Sequence, residues 1–448
     1  MKVLLVSTNR SAVPFPVYPL GLDFVAGALA DRHEVTLLDL LADERLDALE
    51  ATLRSSVPDV VGLSIRNVDN TDGTNPEGFV EDARRAAASV RRASGARVVL
   101  GGSGFGIFPA ELLAATGADA GIVGEGERVG ALLDAWERGA DAAGLPGVVL
   151  RDAPVLRTGP WQGPRRRRWR AEAPHVAFYL RHGGMLNLQS RRGCPHACTY
   201  CTYPLLEGRA SRPVPPRDVA AEARALQDAG ARFLFFADST FNVDPPHNLA
   251  VAAALRAAEV RLPWGAFFAP SAPERGYFGS LAAAGLTHVE FGTESLSAPM
   301  LTSFGKWFSP DDVREAHAAA RAAGLNVAHY FLLGGPGETA ATLSETLEGA
   351  ERLDRCARFF FPAPRIFPDT PLARRAQAEG RLRPGHELLP PTFYRCDVPA
   401  EEILGMVRAR AAGRLDWVAG SGGERLARVA VRLHARGETG PLWERLIG

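Results

Sequence analysis

Short apolar runs alternate with helical stretches along almost the whole chain, and this alternation is the strongest constraint on the fold. In the first 150 residues, KVLLVST, EVTLLDL, DVVGLSI, ARVVLGG and AGIVGEGE read as strands. Helices are expected between them, at LGLDFVAGALAD, over 42–55, over 76–94 and at PAELLAATG. Strands apolar on both faces and joined by crossover helices predict an α/β chain whose N-terminal part is a doubly wound parallel sheet. Ligands of such sheets sit beyond the carboxyl ends of the strands. The residues placed there are Ser64, Arg66 and Asn67, then Gly101, Gly102, Ser103 and Gly104, then Glu125, Gly126 and Glu127. Glycines there let a backbone approach a large ligand closely; ordinary tight turns would look the same.

Residues 146–182 break the pattern. They are rich in proline and arginine, with Arg165 to Arg168 in a row and Trp169 beside them. The segment reads as a linker with a solvated basic surface, and a phosphate or nucleic-acid contact is the alternative. From Met185 the alternation resumes through MLNLQS, FLFFAD, WGAFFAP, HVEFGTE, VAHYFLLGG and FFFPAPRIF. Six βα-like units are too few for an eight-stranded barrel, so a partial barrel with an open side is expected. The domain boundaries that follow are 1–145 for the first domain, 146–182 for the linker, 183–376 for the barrel and 377–448 for a C-terminal helical region.

Composition excludes several classes. Lysine plus arginine equals aspartate plus glutamate at 51 each, so net charge gives no argument for nucleic acid or an anionic membrane. No apolar run approaches the roughly 18 residues of a membrane span. The start, MKVLLVSTNR, reads as a buried strand and not as a signal peptide, so a soluble cytoplasmic protein is expected. Five cysteines in 448 residues do not make a disulfide scaffold.

Three of those five, Cys194, Cys198 and Cys201, fall within eight positions of RRGCPHACTYCTYP. Spacing of this kind on one loop lets three thiolates wrap a single four-iron cluster and leaves its fourth iron to an outside ligand. Zinc would want a fourth ligand, for which His196 is at hand, but zinc sites usually space their pairs farther apart. Cys356 and Cys396 are distant and read as buried or incidental thiols.

The run Cys194-Pro-His-Ala-Cys198-Thr-Tyr-Cys201, with Tyr200 before the last cysteine, closely resembles the signature of the radical S-adenosylmethionine enzymes. The resemblance implies a 4Fe-4S cluster whose open iron chelates S-adenosylmethionine, and one-electron cleavage to a 5′-deoxyadenosyl radical. It further implies nucleotide-binding roles for Tyr200, Ser239, Glu294, Lys306, Gly334, Gly335 and Arg365 at the later strand ends. Each has a plain structural alternative as an ion-pair or turn residue. The segment PGET at 336–339 reads equally as a helix start with Glu338 in its first turn.

A doubly wound domain joined by a linker to such a barrel resembles the cobalamin-binding members of that family, over roughly residues 1–375. On that resemblance the first domain is a Rossmann-like cobalamin-binding domain. Tyr18, Leu20, Ser64, Arg66, Asn67, Gly101, Gly102, Ser103, Gly104, Glu125 and Gly126 would then contact the corrin. The D-x-H-x-x-G motif that gives cobalt a histidine is absent. Asp31 and His33 start it correctly, but Thr36 stands where the glycine would be. Cobalamin without a histidine lower ligand is therefore implied, as is a domain that has lost cobalamin.

The expected activity is methylation of an unactivated carbon, with methylcobalamin as methyl donor. One alternative is rearrangement, cyclisation or oxidation with both cofactors and no net methylation. Another is an iron–sulfur electron-transfer or binding protein without radical chemistry. The implied partners are a small-molecule substrate and an external electron donor such as flavodoxin or ferredoxin. Phe267, Phe268, Phe359, Phe360 and Phe361 hint at an apolar cavity for a lipid, a macrocycle, an aromatic metabolite or another natural-product intermediate, although strand phenylalanines usually belong to a core.

Overall fold

The computed structural model describes residues 1–447 apart from 13, 14, 44–46, 156 and 157, and the side chains of 423–425. Part of the helix expected over 42–55 lies outside the described residues, and its described portion is Ala48–Ser56.

Six strands form the N-terminal sheet: β1 (Lys2–Ser7), β2 (Glu34–Asp39), β3 (Val60–Ser64), β4 (Arg97–Gly101), β5 (Ala120–Ile122) and β6 (Val148–Leu150), in the order β2-β1-β3-β4-β5-β6. The first five pair in parallel, and β6 pairs antiparallel with β5. One face packs Leu4, Val6, Val61, Leu63, Val98 and Leu100 into one apolar cluster, and the other packs Val3, Leu5, Val60 and Val99 into another. Burial on both faces is what near-continuous apolar strands demand. The strand β6 lies inside the stretch read as linker, so the sheet runs past residue 145.

After β7 (Met185–Leu188) come two short paired strands, β8 (Arg191–Arg192) and β9 (Arg212–Pro213). The barrel continues through β10 (Phe233–Phe236), β11 (Trp264–Phe268), β12 (Leu286–Glu294), β13 (Asn326–Leu333) and β14 (Ala357–Pro362), and ends at β15 (Trp417–Ala419). All seven barrel strands run parallel, in the order β15-β14-β13-β12-β11-β10-β7. The six expected strands are present, and β15, from the region read as helical, extends the open edge. Helices such as Pro310–Ala322, which carries a Ser309/Asp312 capping box, cover the outside. Near the C-terminus, Trp443 inserts among Ala328, Ala357 and Val418 and donates its indole N–H to Glu290 at 2.9 Å. Among the described residues no helix is long and apolar enough to cross a membrane.

The arginine run is not a solvated surface. Residues 161–170 alternate between half-buried and exposed, so every second side chain turns inward. Arg167 donates to Asp23 at 2.9 Å, both being almost fully buried, and to the Asn187 carbonyl at 2.9 Å. Arg165 pairs with Glu222 at 2.9 Å and lies over the Phe24 ring. Only Arg166 and Arg168 face solvent, and Arg166 pairs with Asp31. Arg165 and Arg167 stitch the two domains together, while Arg166 and Arg168 stay on the surface.

Candidate functional site

The cysteine loop leaves the barrel directly after β7 and β8. Gly193 has φ +88°, and an added Cβ would lie 2.0 Å from the Ala210 carbonyl oxygen, so only glycine fits before the first cysteine. The Cys194 N–H donates to Gly208 O at 3.0 Å, Gly193 N–H to Glu207 Oε2 at 2.9 Å, and Thr199 N–H to Phe304 O at 2.9 Å. Gly305, at φ +70°, lets that segment approach Ala197, where a Cβ would come within 2.6 Å of its carbonyl oxygen. Cys194 is buried, Cys198 and Cys201 are half-buried, and all three are free thiols. His196 stacks on Trp307 with ring centres 5.1 Å apart.

Behind the loop lies a buried charged cluster. Glu294, at the end of β12 with φ +61°, accepts at Oε1 from the Tyr200 hydroxyl at 2.6 Å and from Lys306 Nζ at 2.9 Å. Burial alone would depress the Lys306 ammonium, but the Glu294 carboxylate and the Cys198 thiol more than offset it, so its pKa is raised. Burial pushes the Cys198 thiol up and the Cys201 thiol to about 12. Three soft donors carried on one loop suit a metal cluster, whose positive charge holds thiols deprotonated. The donor set therefore fits an iron–sulfur cluster, with Cys194, Cys198 and Cys201 to hold it.

The other residues read as nucleotide contacts are placed as follows. Ser239 follows β10, with its hydroxyl 3.5 Å from Gly193 O. Its neighbour Asp238 is fully committed to the loop and accepts from Ser190 N–H at 2.8 Å and from the Ser190 hydroxyl. Gly334 donates to Glu338 Oε2 at 3.1 Å, and a Cβ on Gly335 would lie 2.5 Å from the Phe304 ring. Glu338 thus braces the glycine turn, while Thr339 caps the helix Ala340–Glu351 that follows. Arg365 is elsewhere. It donates to Asp69 Oδ2 and to the carbonyls of Ile366, Thr392, Leu388 and Leu389, which leaves no N–H for a nucleotide.

A cavity of about 270 Å³ opens where the carboxyl ends of β1, β3, β4 and β5 face the barrel. Leu20, Ser64, Gly101, Gly102, Ser103, Glu125 and Gly126 line it, all singled out from sequence. A Cβ added at Gly101 would meet nothing within 4 Å, so this backbone borders open space that a large ligand can fill. That open backbone would border one face of a corrin. Tyr18, Arg66, Asn67 and Gly104 are not in the lining. Tyr18 is buried between the domains, donating to Asp23 at 3.0 Å. Arg66 Nε is buried without a partner, beside Asp39 and Tyr179. His33 sits just before the amino end of β2, away from the cavity, with Asp134 and Glu137.

The barrel supplies the other wall of the cavity, through Gln189, Arg192, Tyr203, Leu206, Glu207 and Ala237. Sequence reading missed these, although Tyr203 and Leu206 stand just past the third cysteine. Arg192, two residues before Cys194, bonds Glu127 at 2.7 Å and Glu125 at 3.2 Å, and Arg212 bonds Glu125 at 2.7 Å. One stretch of chain, 189–207, therefore carries the cysteines and also walls the cavity. A second depression, near Arg54, Pro58 and Gly95, lies at the amino ends of β1, β3 and β4, opposite the cavity, and gathers no comparable groups.

A corrin cradle and a three-cysteine loop on a partial barrel, sharing one wall, define a cobalamin-binding radical S-adenosylmethionine enzyme. Family models agree: the B12 binding domain matches residues 6–133 and the radical SAM superfamily matches residues 188–350, and the chain belongs to the family that joins them. The chain is 26% identical over 439 residues to a tryptophan 2-C-methyltransferase of Streptomyces laurentii, covering 82% of this chain and 73% of that one. It is 25% identical over 402 residues to an uncharacterised methyltransferase of Pyrococcus horikoshii, covering 85% and 84%. Among solved structures, the radical S-adenosylmethionine methyltransferase TsrM of Kitasatospora setae with cobalamin and a [4Fe-4S] cluster superposes with a TM-score of 0.85 at 23% identity, covering 99% and 97%. The cobalamin-dependent radical enzyme OxsB superposes with a TM-score of 0.73 at 15% identity, covering 92% and 67%, and these two likenesses show the shared fold.

Proposed function

We propose that the chain is a methyltransferase that moves a methyl group from S-adenosylmethionine, by way of cobalamin, to carbon on a small molecule. The observation that carries this is the shared wall: 189–207 lines the corrin cradle and holds the cysteine trio, so both cofactors face one space. Both relatives are methyltransferases, which supports the same reading. When bound, the cobalamin carries the transferable methyl, and the cluster with its nucleotide supplies one-electron chemistry.

The chain's own residues do the positioning. Cys194, Cys198 and Cys201 hold the cluster. Tyr200, Ser239, Glu294, Lys306, Gly334 and Gly335 would contact the nucleotide, Lys306 as a partner for its carboxylate and Glu294 for its hydroxyls or amine. Arg365 is left out of that set, because every one of its donors is engaged. Leu20, Ser64, Gly101, Gly102, Ser103, Glu125 and Gly126 cradle the corrin. Among the described residues no histidine lines this cradle, so a bound cobalamin would be held there without one. Trp161, Arg192 and Arg212 on Glu125 close the seam between the domains against water. Working domain limits of 1–145 (carried on to residue 150 by β6), 146–182, 183–376 and 377–448 (which lends β15 to the barrel), a cytoplasmic setting and a flavodoxin- or ferredoxin-type reductant complete the reading.

The test needs no substrate. Anaerobically reconstituted protein is mixed with reduced cobalamin and S-adenosylmethionine, and S-adenosylhomocysteine is quantified. One equivalent per bound cobalamin is expected. No release from protein that retains both iron and cobalamin would overturn the methyl-transfer reading.

A further inference from the structure

The proposed reaction needs a third occupant, the molecule that receives the methyl, and the barrel's inner face shows what it can hold. Parallel pairing sets these side chains side by side: Asn187 with Phe235, Phe267 with Glu290, Gly292 with Tyr330, and Tyr330 with Phe359. Their neighbours in sequence, Phe268 and Phe360, point outward into the helix-covered core. The inward rings touch one another. Phe267 meets Phe235 edge-on at 5.3 Å and Tyr330 at 6.2 Å, and Tyr330 stacks on Phe359 at 5.0 Å with an interplanar angle of 13°.

This wall borders open space. Phe267 is 41% exposed although it stands on a central barrel strand, and Gly292 beside Tyr330 carries no side chain, whereas Ala328 and Ala357 are covered by Trp443. Its polar groups are few and differ in availability. Both oxygens of Glu290 are taken, one by the Tyr330 hydroxyl and one by the Trp443 indole N–H, each at 2.9 Å. The side-chain amide of Asn187, by contrast, has no hydrogen-bond partner among the described residues. None of the inward positions on β7 and β10 to β14 carries lysine or arginine, and Lys306 above them is committed to Glu294. An anionic group would find no counter-charge here.

Building on the methyl-transfer reading, we propose that the lumen binds an uncharged, planar heteroaromatic ring, laid on Phe267 and Tyr330, whose N–H or carbonyl is read by the Asn187 amide. Stacked and edge-on faces select a flat π-system over a flexible alkyl chain. A single free amide selects among rings by hydrogen bonding.

The test is equilibrium dialysis with the protein loaded with cluster, cobalamin and S-adenosylhomocysteine, which blocks turnover. The probes are indole, its N–H-free isostere indene, and decanoate. Indole is expected to bind, and Phe267→Ala to weaken it about tenfold. Preference for indole over indene is expected at about fivefold, one hydrogen bond's worth, and to vanish in Asn187→Leu. Iron and cobalamin contents are measured on every sample, so that variants are compared only as intact holoenzyme. Binding of decanoate in place of indole, or indole affinity unchanged in Phe267→Ala, overturns the proposal and leaves the cofactor reading intact. Wild-type protein unable to hold cobalamin would instead count against that reading.

Discussion

Arg365 of the barrel donates its Nε–H to Asp69 of the N-terminal domain at 2.8 Å, and both side chains are almost completely shut off from solvent. The pair lies 296 positions apart in sequence and bolts the two domains together. Removing one partner strands a charge in a dry interface. Asp69→Ala should therefore destabilise the fold by about 3–5 kcal/mol, whereas replacing both residues by apolar ones of similar volume should be far milder. Urea midpoints of the two variants check this, and loss of bound cobalamin is expected to accompany the first.

Gly335 tests the packing behind the cysteine loop. A Cβ there would press to 2.5 Å from the Phe304 ring, whose own backbone carbonyl holds Thr199 of the loop. Gly335→Ala should destabilise by about 1–3 kcal/mol through overpacking and lower the iron content after reconstitution. The double variant with Phe304→Leu should recover iron, because the smaller side chain makes room.

Glu294 separates nucleotide binding from cluster assembly. Among the described residues its carboxylate takes its side-chain hydrogen bonds from Tyr200 and Lys306. Glu294→Gln keeps the shape and removes the charge. S-adenosylmethionine affinity should fall at least about tenfold, the range for hydrogen bonds to charged groups, while iron per chain stays at the wild-type value. Equilibrium dialysis with labelled nucleotide, alongside iron analysis, measures both.

His175 gives a pH dependence of known sign. It is buried at the domain seam near the Tyr18 hydroxyl, and burial pulls its pKa down to about 4. The unfolded chain takes up that proton near pH 6.5, and the folded protein resists until about pH 4. Its contribution is thus fully present above pH 6.5 and is lost as pH falls towards 4. Urea midpoints across that window should fall less steeply in His175→Phe than in the wild type.

What sequence could show depended on how local the chemistry was. The cysteine trio, Tyr200 and the glycine turns are contiguous motifs, and the structure puts them at strand ends as expected. The strands β6 and β15 were missed because three-residue apolar runs, such as Trp417–Ala419, carry too little periodicity. Arg165 to Arg168 looked solvated because a charge count ignores parity, and an extended segment turns alternate side chains inward. Arg365 stands at a strand end where ligand contacts are common. Only its partner Asp69, from another domain, shows that it is spoken for. The same parity divides Phe267 and Phe359, which face the lumen, from Phe268 and Phe360, which do not.

The claim on which the rest depends is that three cysteines leave one iron open to the nucleotide. Mössbauer spectroscopy of the protein reconstituted with iron-57, with and without S-adenosylmethionine, tests it directly. Replacing Cys356 and Cys396 together by alanine removes both remaining thiols as a fourth ligand. The account predicts four irons per chain in that variant, with one iron site alone changing its isomer shift when the nucleotide is added. A cluster that is lost in the variant, or whose spectrum does not respond to the nucleotide, would contradict it.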